Sequence, residues 1–102
     1  MRVTLSLHPL AEHDLAEIVD YYARLDPDLP VQLVAELDES LDSILHFPLM
    51  RPVVFGEFRQ VVLDVFPYRV VYRFSGQVVR VLTVVHTRRD PAWLEQTVQD
   101  RT

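Results

Sequence analysis

Alternation opens the chain. Val3, Leu5 and Leu7 fall on one side of an extended segment and Thr4 and Ser6 on the other, which predicts a strand over residues 2–7 with one buried face. His8-Pro9 ends it, because proline cannot donate to a ladder. The period then changes. Ala11, Leu15, Ile18, Val19 and Tyr22 recur at helical spacing, with Glu12, Asp14, Glu17 and Asp20 mostly off that stripe, so a helix is expected over residues 10–25. Asp26-Pro27 closes it, since the residue before a proline is pushed out of the α region. A second helix is predicted from Asp28 as N-cap, with Pro30 in its first turn, running to His46 and carrying Val31, Val34, Leu37, Leu41, Ile44 and Leu45 as its stripe. Two amphipathic helices joined by a few residues form a helical hairpin, and its apolar faces require a sheet to cover.

The second half is extended. Residues 49–57 read as a connector in which Pro52 and Gly56 interrupt any period. Strands are predicted over 58–65, 68–74 and 77–86, with Phe66-Pro67 as the first break and Ser75-Gly76 as a two-residue turn. The last of the three is almost continuously apolar, as expected of a central strand buried on both faces. Residues from about 92 are expected to form a short frayed helical turn or tail. The order β-α-α-β-β-β defines an α+β fold, a single domain over 1–102 in which a helical hairpin packs on a mostly antiparallel four-stranded sheet.

Charge divides along the same line. Residues 1–50 carry two arginines against ten acids, a net −8, whereas residues 51–102 carry eight arginines against five acids, a net +3. One surface of the domain should therefore repel polyanions and another tolerate them. All ten basic residues are arginine, so no lysine is present as nucleophile, Schiff-base former or tunable base. The chain has no cysteine, which excludes disulfides and thiolate metal sites. No apolar run approaches the length of a membrane span, and the first residues do not form a signal peptide. A cytoplasmic location without membrane association is expected.

The candidate chemistry is arginine-rich. Along the strand at 68–74, Arg69, Val71 and Arg73 share one face while Val70, Tyr72 and Phe74 share the other, which should meet the helices. Arg69 and Arg73, with Arg59 from the neighbouring strand, would line an anion-binding surface, since the guanidinium fork suits phosphate and carboxylate. Ion pairs with Asp64 and Glu57 are the structural alternative. His86, followed by Thr87-Arg88-Arg89-Asp90, is a candidate proton acceptor; its alternative is a strand-capping residue, with Asp90 paired to Arg88 or Arg89. Tyr21-Tyr22 should place one ring in the core and one at its edge. The acids of the first helix read as a solvated face. No metal-ligand spacing, phosphate loop or Ser/His/Asp pattern occurs, and no cofactor or metal is expected. Trp93 stands alone in a polar tail, as a partner contact or a ring docked on the domain edge.

Three segments carry a resemblance: His8-Pro9-Leu10-Ala11-Glu12-His13-Asp14-Leu15 with the Tyr21-Tyr22 that follows, Phe66-Pro67-Tyr68-Arg69-Val70-Val71-Tyr72-Arg73, and Val85-His86-Thr87-Arg88-Arg89-Asp90-Pro91. Together they resemble the RelE/ParE superfamily of toxins from type II toxin–antitoxin systems, over nearly the whole chain, and the last segment is closer to the ParE side. The resemblance implies a toxin of the plasmid-stabilisation type, neutralised by a cognate antitoxin in a toxin–antitoxin hetero-oligomer and acting as a ParE-like inhibitor of DNA gyrase. The alternatives it carries are a RelE-like endonuclease that cuts mRNA on the ribosome and an inactive toxin fold that only binds its antitoxin. In the nuclease reading Arg69, Arg88 and His86 would be catalytic. RelE-like enzymes, however, place lysines where this chain has Gln60 and Val62, and a terminal tyrosine where it has Trp93-Leu94. Those departures favour a non-catalytic inhibitor whose target contacts are Tyr68, Arg69, Arg73, Arg88 and Arg89, with Arg59 beside them.

Overall fold

The continuous apolar run near the C-terminus takes an interior place in the sheet, between its first strand and the strand that precedes it in the chain. In the computed structural model, which describes residues 2–102, the elements are β1 (Thr4–Leu7), α1 (Pro9–Leu25), α2 (Leu29–His46), β2 (Val53–Phe55), β3 (Phe58–Val62), β4 (Tyr68–Ser75), β5 (Val78–His86) and α3 (Pro91–Asp100). The five strands lie in the order β1-β5-β4-β3-β2. β1 runs parallel to β5, and the other neighbours are antiparallel. The α+β class and the interior, two-sidedly buried place of β5 agree with the sequence pattern. The sheet nevertheless has five strands, not four. The added one, β2, lies inside the expected connector, where Pro52 and Gly56 leave room for only three residues and no readable alternation.

Each face of the sheet carries its own core. Val61, Tyr68, Val70, Tyr72, Val79, Val81 and Val84 meet the helical hairpin through Ala11, Leu33, Leu37 and Ile44. On the other face Phe58, Val71, Leu82 and Val85 meet Leu94 and Val98 of α3. The expected frayed tail is thus a ten-residue helix. Asp90 caps it by accepting the Ala92 N–H at 3.1 Å, and Pro91 follows in the first turn. Two buried positions four residues apart are too short a stripe to separate a docked helix from a tail.

Local chemistry moves several boundaries. α1 begins at Pro9 because His8 Nδ1 accepts the Leu10 N–H at 3.0 Å, and burial followed by the charges of Arg80 and Arg101 lowers the pKa of that ring. The β4–β5 loop is Gly76-Gln77 and not Ser75-Gly76, for Ser75 pairs with Val78 while Gly76 takes the left-handed φ of +63°. β3 stops at Val62, short of the expected residue 65, because the next amides turn away to Glu36 of α2. Its carboxylate accepts N–H groups from Asp64 at 2.7 Å, Val65 at 2.9 Å and Phe66 at 3.1 Å. Desolvation works to raise the pKa of Glu36, but the amides of Val65, Phe66 and Asp64 outweigh it and hold the carboxyl below its ordinary value.

Glu36→Gln should destabilise the domain by about 1–3 kcal/mol at pH 7 in urea melts. A carboxyl with a depressed native pKa adds stability above its unfolded value, near 4.5, and that stability is lost as pH falls through the native one. The gap between wild type and variant should therefore close below pH 4.5. Leu94→Ala should cost about 2–5 kcal/mol in the same measurement, as for a buried core leucine; a frayed tail would give a change near zero.

Candidate functional site

The paired ends of β4 and β5, with the turn into α3, gather most of the functional groups marked in the sequence. Tyr68 lies opposite His86 in register, and their rings meet edge to face at 5.5 Å. The chain leaving β5 wraps around His86. Its Nδ1 accepts the Arg88 N–H at 3.1 Å, and its carbonyl accepts the Arg89 N–H at 3.0 Å. Thr87 donates its N–H to the Pro67 carbonyl at 2.9 Å, which ties this turn to the β3–β4 loop. Arg69 then reaches across, donating from Nη2 to the Arg89 carbonyl at 3.2 Å and from Nη1 to Gln60 Oε1 at 3.4 Å, while its buried Nε has no partner. The Arg89 guanidinium lies 4.0 Å above the Trp93 ring, a cation–π contact that docks the indole on the domain. Arg88 is exposed.

Beside this group an open cleft of about 350 Å³ runs between α1, the end of β5 and the start of α3, walled by Tyr21, Tyr68, His86 and Trp93 and bordered by Glu17 and Arg89. Tyr21 is exposed, while Tyr22 packs edge-on to Phe66 in the core, dividing the two rings as the sequence suggests. Burial, reinforced by the neighbouring Tyr22 hydroxyl, pushes the Tyr68 phenol up to about 12. Tyr68 therefore stays protonated at neutral pH and serves as a wall, not as a base.

Asp14, which also lines the cleft, is not the solvated acid its spacing suggests. It accepts from Arg101 Nη1 at 2.6 Å and from Thr83 Oγ1 at 2.8 Å. Arg101 also donates to the Leu82 carbonyl at 2.9 Å. Leu82 is the extra residue of a bulge, since Val71 pairs with Thr83 but Tyr72 pairs with Val81. No local signal marks this contact, because its two charges stand 87 residues apart.

The predicted contact residues do not all meet. Tyr68, Arg69, His86, Arg88 and Arg89 come together. Arg73 lies four residues along β4, ~13 Å away by the rise of a strand, opposite Phe58 and Arg80. Arg59 belongs to the other face: it pairs with Tyr72 and donates to the Arg51 carbonyl at 2.7 Å. A strand boundary moved by one residue would not have helped; only the register shows that Arg59 and Arg73 point apart. The ion pairs weighed as alternatives do not form either. Among the described residues, arginine–carboxylate pairs occur only at Arg24–Asp20 and Arg101–Asp14, and Asp90 is occupied as a cap. No group of three or more potential metal ligands is found among the described residues, and no described helix is long and apolar enough to cross a membrane.

A helical hairpin on one face of a small mixed sheet, with arginines and aromatic rings at the exit of the last strand, defines a toxin domain of the RelE/ParE class. Residues 5–91 match the family described as ParE toxin of type II toxin-antitoxin system, parDE, and the chain belongs to that family. Y4kP of Sinorhizobium fredii is 33% identical over 89 residues, covering 86% of this chain and 90% of that protein. Toxin ParE2 of Mycobacterium tuberculosis is 30% identical over 99 residues, covering 96% and 94%. Among solved structures, a chain of the chromosomal ParDE TA system from P. aeruginosa superposes with a TM-score of 0.73 over 83% of this chain and 96% of its own, at 21% identity, a likeness of fold.

Asp14→Leu should cost about 3 kcal/mol, because it leaves Arg101, only 12% exposed, without its carboxylate. The double variant Asp14→Leu/Arg101→Met should recover most of that loss in chemical denaturation. Additive losses would mean that the pair is not coupled.

Proposed function

We propose that this chain is a ParE-like inhibitor of DNA gyrase, released from and neutralised by a cognate antitoxin. The observation that carries the reading is the state of the groups at the strand exit. Arg69 is tied by a side-chain amide and a main-chain carbonyl, Arg89 is stacked on Trp93, and the Tyr68 phenol stays protonated to about 12. Such an arrangement presents charge and shape and lacks an evident proton-transfer couple for cutting RNA. Arg88, Arg89 and the edge of Trp93 are the target contacts, with Arg69 holding the turn that displays them. Family membership and the ParDE system seen in the fold neighbour support an antitoxin partner. The segment that blocks the toxin would be a helix or extended tail laid beside the acidic helical hairpin, where Leu10, Tyr21 and Leu25 are exposed along α1.

The second reading is a ribosome-dependent endoribonuclease, favoured by one contact: the His86 ring sits against Tyr68 in the turn that carries Arg88 and Arg89. One pair of assays separates the two. Purified protein should block gyrase supercoiling and accumulate cleaved DNA, Arg88→Ala/Arg89→Ala should weaken that effect at least ~10-fold, a loss of about 1.4 kcal/mol, and mRNA should remain intact in a translation extract. Inert gyrase at excess protein, together with codon-positioned mRNA cuts abolished by Arg69→Ala, would establish the nuclease instead.

A further inference from the structure

The sheet face that carries α3 has a second basic site beyond the reach of that helix. Arg73 of β4 and Arg80 of β5 are directly opposed in register, so their side chains leave the same face side by side. Like charges at opposed positions are unfavourable, and here no carboxylate offsets them: among the described residues neither arginine has an acidic partner within salt-bridge distance. The surroundings are hydroxylic. Ser6 of β1 lies opposite Arg80 and takes a hydrogen bond from its Nη1. The next row on the same face is Ser75, Val78 and Thr4, again opposed in register, with Ser75 and Thr4 exposed and Val78 40% exposed. Two guanidinium groups and three hydroxyls therefore share a patch at the β4–β5 turn, far from the His86 end of the same strands.

From this juxtaposition we infer that Arg73, Arg80 and Ser6 form a binding site for a phosphate-class oxyanion. A tetrahedral phosphate offers three or more acceptor oxygens and close to two negative charges, which matches two planar forks and a hydroxyl donor on adjacent strands. A carboxylate, with one charge and two oxygens in a plane, satisfies one fork and leaves the other unneutralised. The charge count selects a phosphate monoester over a backbone phosphodiester, which carries one negative charge and two terminal oxygens. Arg69, Arg88 and Arg89 take no part in it, so the site stands independently of the gyrase reading.

The test uses the purified chain with neither antitoxin nor target present. Inorganic phosphate titrated into isotope-labelled protein should produce saturable NMR shifts at the Arg73 and Arg80 side-chain Nε–H signals. Sodium chloride and acetate at equal ionic strength should not. Arg80→Gln should reduce the apparent affinity at least ~10-fold, and Arg73→Gln should do the same; both replace half-buried side chains outside the two cores and should leave the remaining spectrum that of the folded domain. In a further arm, a 5′-phosphorylated nucleoside should outcompete a short unphosphorylated oligonucleotide, and the reverse order would overturn the monoester assignment. Shifts of equal size with chloride or acetate would overturn the site, as would phosphate shifts that persist unchanged in both glutamine variants.

Discussion

The bulge at Leu82 is the constraint on which the arrangement of helices depends. β1 is too short to accompany β5 to its end, since its last pair is Leu7 with Val81, so from residue 82 onward one side of the central strand lacks a strand neighbour. A central edge left open in this way exposes carbonyls and invites pairing with other chains. The molecule closes it with charge. Asp14 from α1 meets Thr83, Arg101 from the end of α3 meets Asp14 and the Leu82 carbonyl, and a helix from each face is thereby pinned to the same point of the sheet. The Asp14–Arg101 pair is largely buried, so most of its weight lies in the penalty for removing one member and little in the pair itself. α3 docks where it does because its last turn ends at that carbonyl. Trp93, one helix length earlier, is consequently delivered to the His86 turn.

Sequence periodicity made the hairpin and the three long strands legible, because each has enough residues to repeat its pattern and a proline or glycine to end it. What it missed is short or remote. β2 has three residues and an irregular register with β3. α3 has only Leu94 and Val98 as buried positions, too few for a period. The candidate site divides in the same way. Tyr68, Arg69, His86, Arg88 and Arg89 meet because two adjacent strands end together, which is a local consequence of the β4–β5 hairpin and visible in the order of residues. Arg59 could not be placed, since the face of a strand residue depends on register, and a single step reverses it. Asp14 with Arg101 was beyond reach for another reason: nothing in the residues around an acid on a helix announces a partner near the opposite end of the chain.

Charge segregation becomes spatial in the fold. The ten acids of the first half lie mainly on α1 and α2, on one face of the sheet, and most arginines of the second half emerge on the other or at its end. Few are neutralised internally, so the field of the domain is bipolar although its net charge is −5. Anionic and cationic ligands would thus be attracted to different sides. The two faces are joined through the sheet and, among the described residues, through the ionic contact at Leu82.

The parallel pairing of β1 with β5 also fixes an order of assembly. Ser6 finds Arg80 only after more than seventy intervening residues have been made, a long loop to close before any contact rewards it. The helical hairpin can form early from local contacts, but its apolar face has no sheet to rest on until β3, β4 and β5 have been synthesised. The turn that presents Arg88, Arg89 and Trp93 comes later still, since α3 is locked by Arg101. During synthesis the chain consequently exposes its acidic hairpin first and its basic end last. Any ligand of the hairpin would therefore find its surface already made while the basic turn has yet to leave the ribosome.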